Sequence, residues 1–303
     1  MGSKRAGFIA LIGEPNVGKS TLMNKIVGSK VSIVTHKVQT TRTRVRGVAI
    51  HNSSQLVFVD TPGLFETKRR LDRAMVASAW NSAIDADIVA LLVAANKNIN
   101  DNVIRIIKNL TAKIKSKNVI LIINKIDRTN PQKLLHLTKE LNKYFSFQQT
   151  FMISATKGHG ITRFKAWLAS NIPEGPWLYP QDQIADLPLR VIASEITREK
   201  LILRLHQELP YQLTVETEKW VEKVDGSVLI EQVIYVVRDG HKGIILGKNG
   251  STIKSIGQDS RSDLVKFLGM NVHLLLKVKV KPNWQEDSTR YREMGLSFMD
   301  GSI

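Results

Sequence analysis

Eight residues near the N-terminus carry the most specific chemistry in this chain. Gly13-Glu14-Pro15-Asn16-Val17-Gly18-Lys19-Ser20 has the spacing G-x-x-x-x-G-K-[ST] and follows directly on the apolar run Phe8–Ile12. Glycines at both ends let the backbone wrap an anion with its N–H groups turned inward, and a helix opening at Lys19 adds its positive end. Lys19 then reaches the β- and γ-phosphates of a nucleotide, and the Ser20 hydroxyl is a ligand for Mg²⁺. Gly13, Asn16, Val17, Gly18 and Thr21 complete the cradle.

Which base the nucleotide carries is read further along. Asn124-Lys125-Ile126-Asp127 follows the apolar run Val119–Ile123. The Asp127 carboxylate accepts from both N1–H and the 2-amino group of guanine. Adenine offers no donors there and leaves the carboxylate unpaired, a difference of several kcal/mol in favour of GTP. Asn124 ties the loop together, and the stem of Lys125 lies against the base. Ser154-Ala155-Thr156, after a fifth apolar run, places the Ala155 N–H on guanine O6.

Two more segments respond to the terminal phosphate. Asp60-Thr61-Pro62-Gly63 ends the run Leu56–Val59. Asp60 is the carboxylate behind Mg²⁺, and the Gly63 N–H meets the γ-phosphate, which makes the following residues a switch. In Gln39-Thr40-Thr41-Arg42 one threonine ligates Mg²⁺ when the γ-phosphate is present; Thr41 is favoured and Thr40 is the alternative. Lys19, Thr41 and Gly63 are thus the residues expected to serve hydrolysis. Leu64 stands where an amide could orient the attacking water, and a leucine cannot do so. Slow intrinsic hydrolysis is expected, driven by charge stabilisation and positioning.

A second constellation lies near the C-terminus. Gly247-Lys248-Asn249-Gly250 sits in the basic stretch HKGIILGKNGSTIKSIG. A G-x-x-G turn between helices lets backbone approach a sugar–phosphate chain, and the next helix offers its N-terminus. Gly243 opens the approach. Ile244, Ile245, Ile253 and Ile256 are expected to floor a groove for unstacked bases, with Lys254, Arg261, Lys277 and Lys279 adding backbone contacts.

These residues need a scaffold. Short apolar runs at 7–12, 56–60, 88–95, 119–124 and 150–155 alternate with helical patterns at 73–84, 103–114 and 132–144. That is a mostly parallel sheet with helices on both faces, and ligands bind at its carboxyl edge. Four prolines within 172–188 break the pattern. The division reads as a nucleotide domain over 1–172, a linker over 173–188 and a nucleic-acid-binding domain over 189–303. The last contains a helix over 190–209, strands at 212–221 and 228–238, two short helices around 243–260 and 263–268, and a strand at 272–281.

Composition narrows the class. The 303 residues include no cysteine, which excludes disulfides, thiolate metal sites and thiol nucleophiles. No apolar run reaches the roughly 18 residues of a membrane span. The net charge is +17, which favours a polyanionic partner. Residues 1–175 hold 27 basic and 10 acidic side chains, whereas 176–303 hold 17 of each, with a basic stretch at 238–281.

The four nucleotide loops resemble, in order and spacing, those of the translation-factor-like small GTPases. Together with GEPNVGKSTLMNKIVG, QTTR, DTPGL, NKID, SATKG, SEITREKLILRLHQELPY, KGIILGKNGSTIKSIG and LLLKVKVKPNW, the chain from about residue 7 to about 295 resembles the Era family. That implies an α/β P-loop GTPase domain followed by an α+β KH type II domain. It implies a cytoplasmic switch protein, a monomer, cycling between GTP and GDP. Its partners would be the 3′ end of small-subunit ribosomal RNA and the maturing small ribosomal subunit, with peripheral contact at the inner membrane face. It also implies that Asn16 holds K⁺ beside the phosphates. Glu14 departs from the family, which commonly has a basic residue there. Competing classes are a P-loop ATPase or nucleotide kinase, against which Asn124 and Asp127 argue, a GTP sensor without turnover, and a membrane-surface GTPase.

Overall fold

The computed structural model describes residues 3–37, 40–67, 69–114 and 118–298. Gln39 and Lys68 lie outside the described residues. The chain forms two compact units, and the first comprises residues 1–32, 41–186 and 294–303. Its strands are β1 (Arg5–Gly13), β2 (Val45–His51), β3 (Ser54–Asp60), β4 (Ile88–Ala94), β5 (Asn118–Asn124) and β6 (Gln149–Ile153). They run in the order β2-β3-β1-β4-β5-β6. All neighbours are parallel except β2 and β3. The helices are α1 (Lys19–Val27), α2 (Arg70–Asp85), α3 (Asp101–Lys113), α4 (Pro131–Tyr144) and α5 (Ile161–Asn171).

Strands β3 and β4 are buried along their whole length, β4 as an unbroken apolar run and β3 with its polar ends Ser54, Gln55 and Asp60 included. Register brings the functional ends level: Leu11 pairs with Asp60, Gly13 with Leu92, and Asn124 with both Ala94 and Ile153. Asn100 and Asn130 start α3 and α4 by accepting from Val103 N–H and Lys133 N–H, the N-cap chemistry expected of asparagine.

Strand β2 is absent from the apolar pattern because it is an antiparallel edge strand containing Arg46, Gly47 and His51. The proline-rich segment is not a free linker, and unit 1 extends through it to Asp186. It straps the edge of β2. Val48 N–H donates to Ile184 C=O and Asp186 N–H to Arg46 C=O. Asp186 also accepts from Arg46 Nη1 at 2.7 Å and from the Tyr179 hydroxyl at 2.9 Å. Gln55, fully buried, accepts from Leu178 and Tyr179 N–H and donates to Tyr179 C=O. The strap occupies an edge that would otherwise offer unpaired backbone groups.

The second unit comprises residues 33–40 and 187–293. It is built from α6 (Leu189–Arg204), β7 (Leu213–Glu222), β8 (Val228–Val236), α7 (Asp239–Leu246), α8 (Ser251–Leu268), β9 (Val272–Val280) and α9 (Ser288–Glu293). β7 and β8 pair antiparallel, β8 and β9 parallel. The helix expected to reach 209 stops at Arg204, and a 3-10 turn at Leu209–Tyr211 takes up Pro210. Residues 263–268 are not a separate helix. They continue α8, whose buried Ile256, Ser260 and Leu264 repeat every four residues. The polar stretch Arg261-Ser262-Asp263 suggested a break because it faces outward. Among the described residues, no helix is long and apolar enough to cross a membrane.

Gln55→Ala should cost about 2 kcal/mol of stability, because it strands the buried backbone groups of the strap. Denaturant unfolding against wild type measures this.

Candidate nucleotide site and nucleic-acid groove

The phosphate loop needs its glycines for space as well as for dihedral freedom. Gly13 (φ +142°) and Gly18 (φ +100°) both have positive φ. A Cβ on Gly13 would lie 2.4 Å from Leu92 O, and one on Gly18 2.3 Å from Asn124 Nδ2. Helix α1 begins after Gly18 with no side-chain cap, so its first N–H groups face the loop. Lys19 Nζ donates to Gly13 C=O at 3.1 Å and Glu14 C=O at 2.9 Å. Burial pushes its ammonium down to about 8, with Asp60 and then Glu14 pulling the other way. The Glu14 carboxylate accepts from Asn100 and Asn102 at the start of α3.

Asp60 is fully buried at the end of β3. Its Oδ2 accepts from Ser20 Oγ at 2.6 Å, Ser32 Oγ at 2.8 Å and Thr41 Oγ1 at 3.4 Å. Ser20 and Thr41 are themselves 3.0 Å apart. Burial pushes the Asp60 carboxyl upward, against the hydrogen bond from Ser20 and the charge of Lys19. Its Oδ1 is buried with no hydrogen-bond partner. Two hydroxyls beside a carboxylate with an unspent oxygen are a hard-oxygen set of the kind Mg²⁺ takes. Thr40 does not join them, because its hydroxyl bonds to Thr35 Oγ1 at 2.7 Å and Lys37 C=O at 2.8 Å. Sequence reasoning missed Ser32 and Asn24. Asn24 folds the loop after α1 by accepting from Val31 and Ser32 N–H and donating to Ser32 C=O. Ser32 lies in none of the quoted segments, and Asn24 lies beyond the G-x-x-x-x-G-K-[ST] spacing.

Gly63 packs on Pro15 so closely that a Cβ would fall 2.7 Å from its ring. Leu64 N–H donates to Gly13 C=O at 2.9 Å. The Leu64 side chain is buried in the core with Trp80 and Ala83.

At the base end, Asn124 Nδ2 donates to Val17 C=O at 2.8 Å, and Lys125 Nζ to Asn16 C=O at 2.5 Å. Both side chains splice the base loop to the phosphate loop. Asp127 Oδ1 accepts from Ser154 Oγ at 2.6 Å. That bond is the main reason its carboxyl lies below the usual range. Ser154 also accepts from Lys157 N–H at 3.2 Å, and its hydroxyl is 3.3 Å from that of Thr156. The Ala155 N–H donates to Asn124 Oδ1 at 3.1 Å, which braces Asn124 against the loop that carries Ser154 and Thr156.

In the second unit, Gly247 (φ +72°), Asn249 (φ +53°) and Gly250 (φ +74°) make the turn between α7 and α8. A Cβ on Gly247 would strike Thr252 Oγ1 at 2.2 Å. Lys248 and Asn249 are exposed at its tip, Gly243 is open, and Ile244 is 57% exposed. A groove runs between α8 and β9, lined by Ile253, Lys254, Gly257, Gln258, Arg261 and Leu274–Leu276. Gly257 and the β9 leucines were not foreseen, because no spacing rule marks them.

Four expected contacts are corrected. Ile245 is fully buried in the core with Ile256, so neither forms an accessible floor. Lys277 and Lys279 alternate to the sheet face opposite the helices. There they meet Glu231 at 3.1 Å and Glu218 at 3.0 Å. On β9, period-two alternation puts Leu274 and Leu276 on one face and Leu275, Lys277 and Lys279 on the other.

Residues 8–125 match the model of the 50S ribosome-binding GTPases, and residues 208–285 match that of the KH domain. Fold and site together define a P-loop GTPase with a C-terminal KH domain, an enzyme that converts GTP to GDP and phosphate. GTPase Era of Dinoroseobacter shibae is 62% identical, over 98% of this chain and 97% of its own length. GTPase Era of Brucella suis is 55% identical, over 97% and 94%. A crystal structure of Era with MgGDPNP and nucleotides 1506–1542 of 16S ribosomal RNA matches with a TM-score of 0.90 at 37% identity, covering 96% of this chain and 99% of that one. An Aquifex aeolicus Era variant bound to GDP·AlF4⁻ matches at 0.89 with the same identity and coverage. The chain belongs to the Era family of GTPases.

Asp127→Asn should weaken GTP binding about a hundredfold or more, since the amide turns a donor toward N1–H and the 2-amino group. Xanthosine triphosphate, with a carbonyl at position 2, should lose far less. Competitive titration of the two nucleotides checks this.

Proposed function

We propose that this protein is a GTP-driven switch that binds the 3′ end of small-subunit ribosomal RNA in the α8–β9 groove and assists small-subunit maturation. The observation carrying this reading is the pairing, in one chain, of a guanine-selective phosphate site with a G-x-x-G turn that opens onto an apolar groove. The 16S fragment held by the related Era structure supports the choice of RNA. A basic rim of Lys248, Lys254 and Arg261 suits phosphates, while Ile253, Leu274 and Leu276 suit bases.

In this reading Mg²⁺ is held by Ser20 and Thr41 with Asp60 behind them, and when bound it neutralises charge on the β- and γ-phosphates. Lys19 grips the same oxygens. The Gly63 N–H meets the terminal phosphate. Leu64 gives no help to the attacking water, so turnover is slow. Asn16 would hold K⁺, which would supply positive charge to the transition state. Ordering around Thr41 and residues 60–70 changes access of RNA to the KH groove through the connecting segment, and hydrolysis reverses it. The protein acts as a cytoplasmic monomer with peripheral contact at the inner membrane face.

Affinity for a 3′-terminal 16S oligomer, measured with GTP analogue, GDP and no nucleotide, should be about tenfold or more higher with the analogue, within the range of ordinary allosteric coupling. Equal affinities in all three states would end the switch reading. Gly257→Glu should weaken RNA by at least about tenfold while leaving GTP turnover intact. Its side chain enters the groove, where a Cβ already lies 3.5 Å from Leu276, and brings a negative charge toward phosphate.

Asn16→Gly keeps the positive φ (63° in Asn16) but removes the side chain. It should abolish stimulation of hydrolysis by K⁺ over Na⁺ with GDP affinity retained. Single-turnover assays in the two salts decide.

A further inference from the structure

Leu64 directly follows the glycine read as meeting the terminal phosphate, and it is anchored at three points within the GTPase unit. Its side chain is buried with Trp80 and Ala83. Its N–H donates to Gly13 C=O at 2.9 Å. Its C=O accepts from Asn102 Nδ2 at 3.0 Å. Asn102 stands in the first turn of α3, and the same nitrogen donates to Glu14 Oε1 at 2.9 Å. One amide group therefore bridges the phosphate loop and the segment that carries Gly63. Gly63 itself lies against Pro15, where a Cβ would fall 2.7 Å from the ring.

The orientation of the Asn102 amide is dictated by its surroundings. Its two hydrogens match two acceptors, and its oxygen accepts from Arg105 Nη2 at 2.6 Å. Turned over, it would set an oxygen against the Glu14 carboxylate and the Leu64 carbonyl, and hydrogens against a guanidinium. Glu14 is held in turn. Its Oε1 also accepts at 3.1 Å from Asn100, whose own oxygen caps α3 by accepting from Val103 N–H. Hydrogen bonds to an ionised acceptor are stronger than those between neutral groups. A basic side chain at position 14 would bring donors to the donors of Asn100 and Asn102, so the bridge depends on an acidic residue there.

We propose that Asn102, oriented by Glu14, is a positioning residue for Gly63: by pinning the Leu64 carbonyl it sets the Gly63 N–H over the phosphate loop. The inference rests on the reading that this N–H meets the terminal phosphate. Leu64 then serves as an anchor in a place where it cannot orient water. A donor fixed in advance favours GTP over GDP, because only GTP carries the phosphate that the donor meets.

The test uses the full-length protein with Mg²⁺ and compares wild type with Asn102→Ala, Glu14→Ala, Glu14→Gln and the double alanine variant. Affinities for a non-hydrolysable GTP analogue and for GDP are measured by competitive titration, and thermal unfolding monitors the fold. Asn102→Ala and Glu14→Ala should each weaken the analogue about tenfold, the size of one charge-assisted hydrogen bond, with GDP affinity unchanged. The double variant should lose no more than the larger single loss, because the two side chains act through one bridge. Glu14→Gln keeps an acceptor oxygen and should lose less than Glu14→Ala. In wild type, exchange of the Gly63 amide hydrogen, followed by NMR, should be slower with the analogue than with GDP. If it is slower while Asn102→Ala binds both nucleotides like wild type, the bridge is refuted and the Gly63 reading survives. If exchange is the same with both nucleotides, the Gly63 reading fails and the bridge falls with it. Equal weakening of both nucleotides would mark a purely structural role and would also overturn the proposal. Should Asn102→Ala not fold, Glu14→Ala decides.

Discussion

A carboxylate sealed from water at the end of a central strand sets the terms for the GTPase unit. Moving the Asp60 charge out of solvent costs several kcal/mol. Three hydroxyls and the Lys19 ammonium offset that cost. Each comes from a different place: Ser20 and Lys19 from the start of α1, Ser32 from the loop after it, and Thr41 from beyond. The geometry of one oxygen therefore draws three other stretches of chain to the end of β3. The other oxygen carries no hydrogen bond, which leaves it to serve a cation.

The parallel sheet makes that concentration of charge affordable. β1, β3, β5 and β6 end at the same edge, so loops far apart in sequence meet without long excursions. Asn124 and Lys125 then stitch the base loop to the phosphate loop by bonds to Val17 and Asn16 carbonyls. Selection of the base and grip on the phosphates are consequently one rigid construction, in keeping with a site that must sense a single phosphate group.

The KH unit solves a different problem. Its sheet is covered on one face only, and the covered face thins toward the edge strand β9, where Leu274 and Leu276 are half-buried. Gly257 keeps α8 low at that place. The result is an apolar slot rimmed by cations, while the opposite face carries Lys277 and Lys279 in exposed ion pairs worth little in stability. The basic stretch 238–281 draws a polyanion to the unit, but the slot decides where bases can rest.

Much of this was legible in the amino-acid order. The phosphate loop, Asp60, Thr41, Asn124 and Asp127 were readable because their chemistry demands particular residue types at fixed spacings, next to apolar runs long enough for strands. The G-x-x-G turn was readable for the same reason. Residues whose role depends on packing alone were not. Ile245 reads like its neighbour Ile244, yet one is fully buried and the other open. Ser32 and the strap over β2 belong to no motif, Gly257 lies beyond the G-x-x-G spacing, and the bond from Ala155 N–H to Asn124 Oδ1 joins residues 31 apart in sequence. Local spacing fixes what a residue is able to do. Which face it occupies, and which distant partner takes its one hydrogen, is settled only when the sheet and helices close on each other, since those choices depend on competition among groups far apart in the chain.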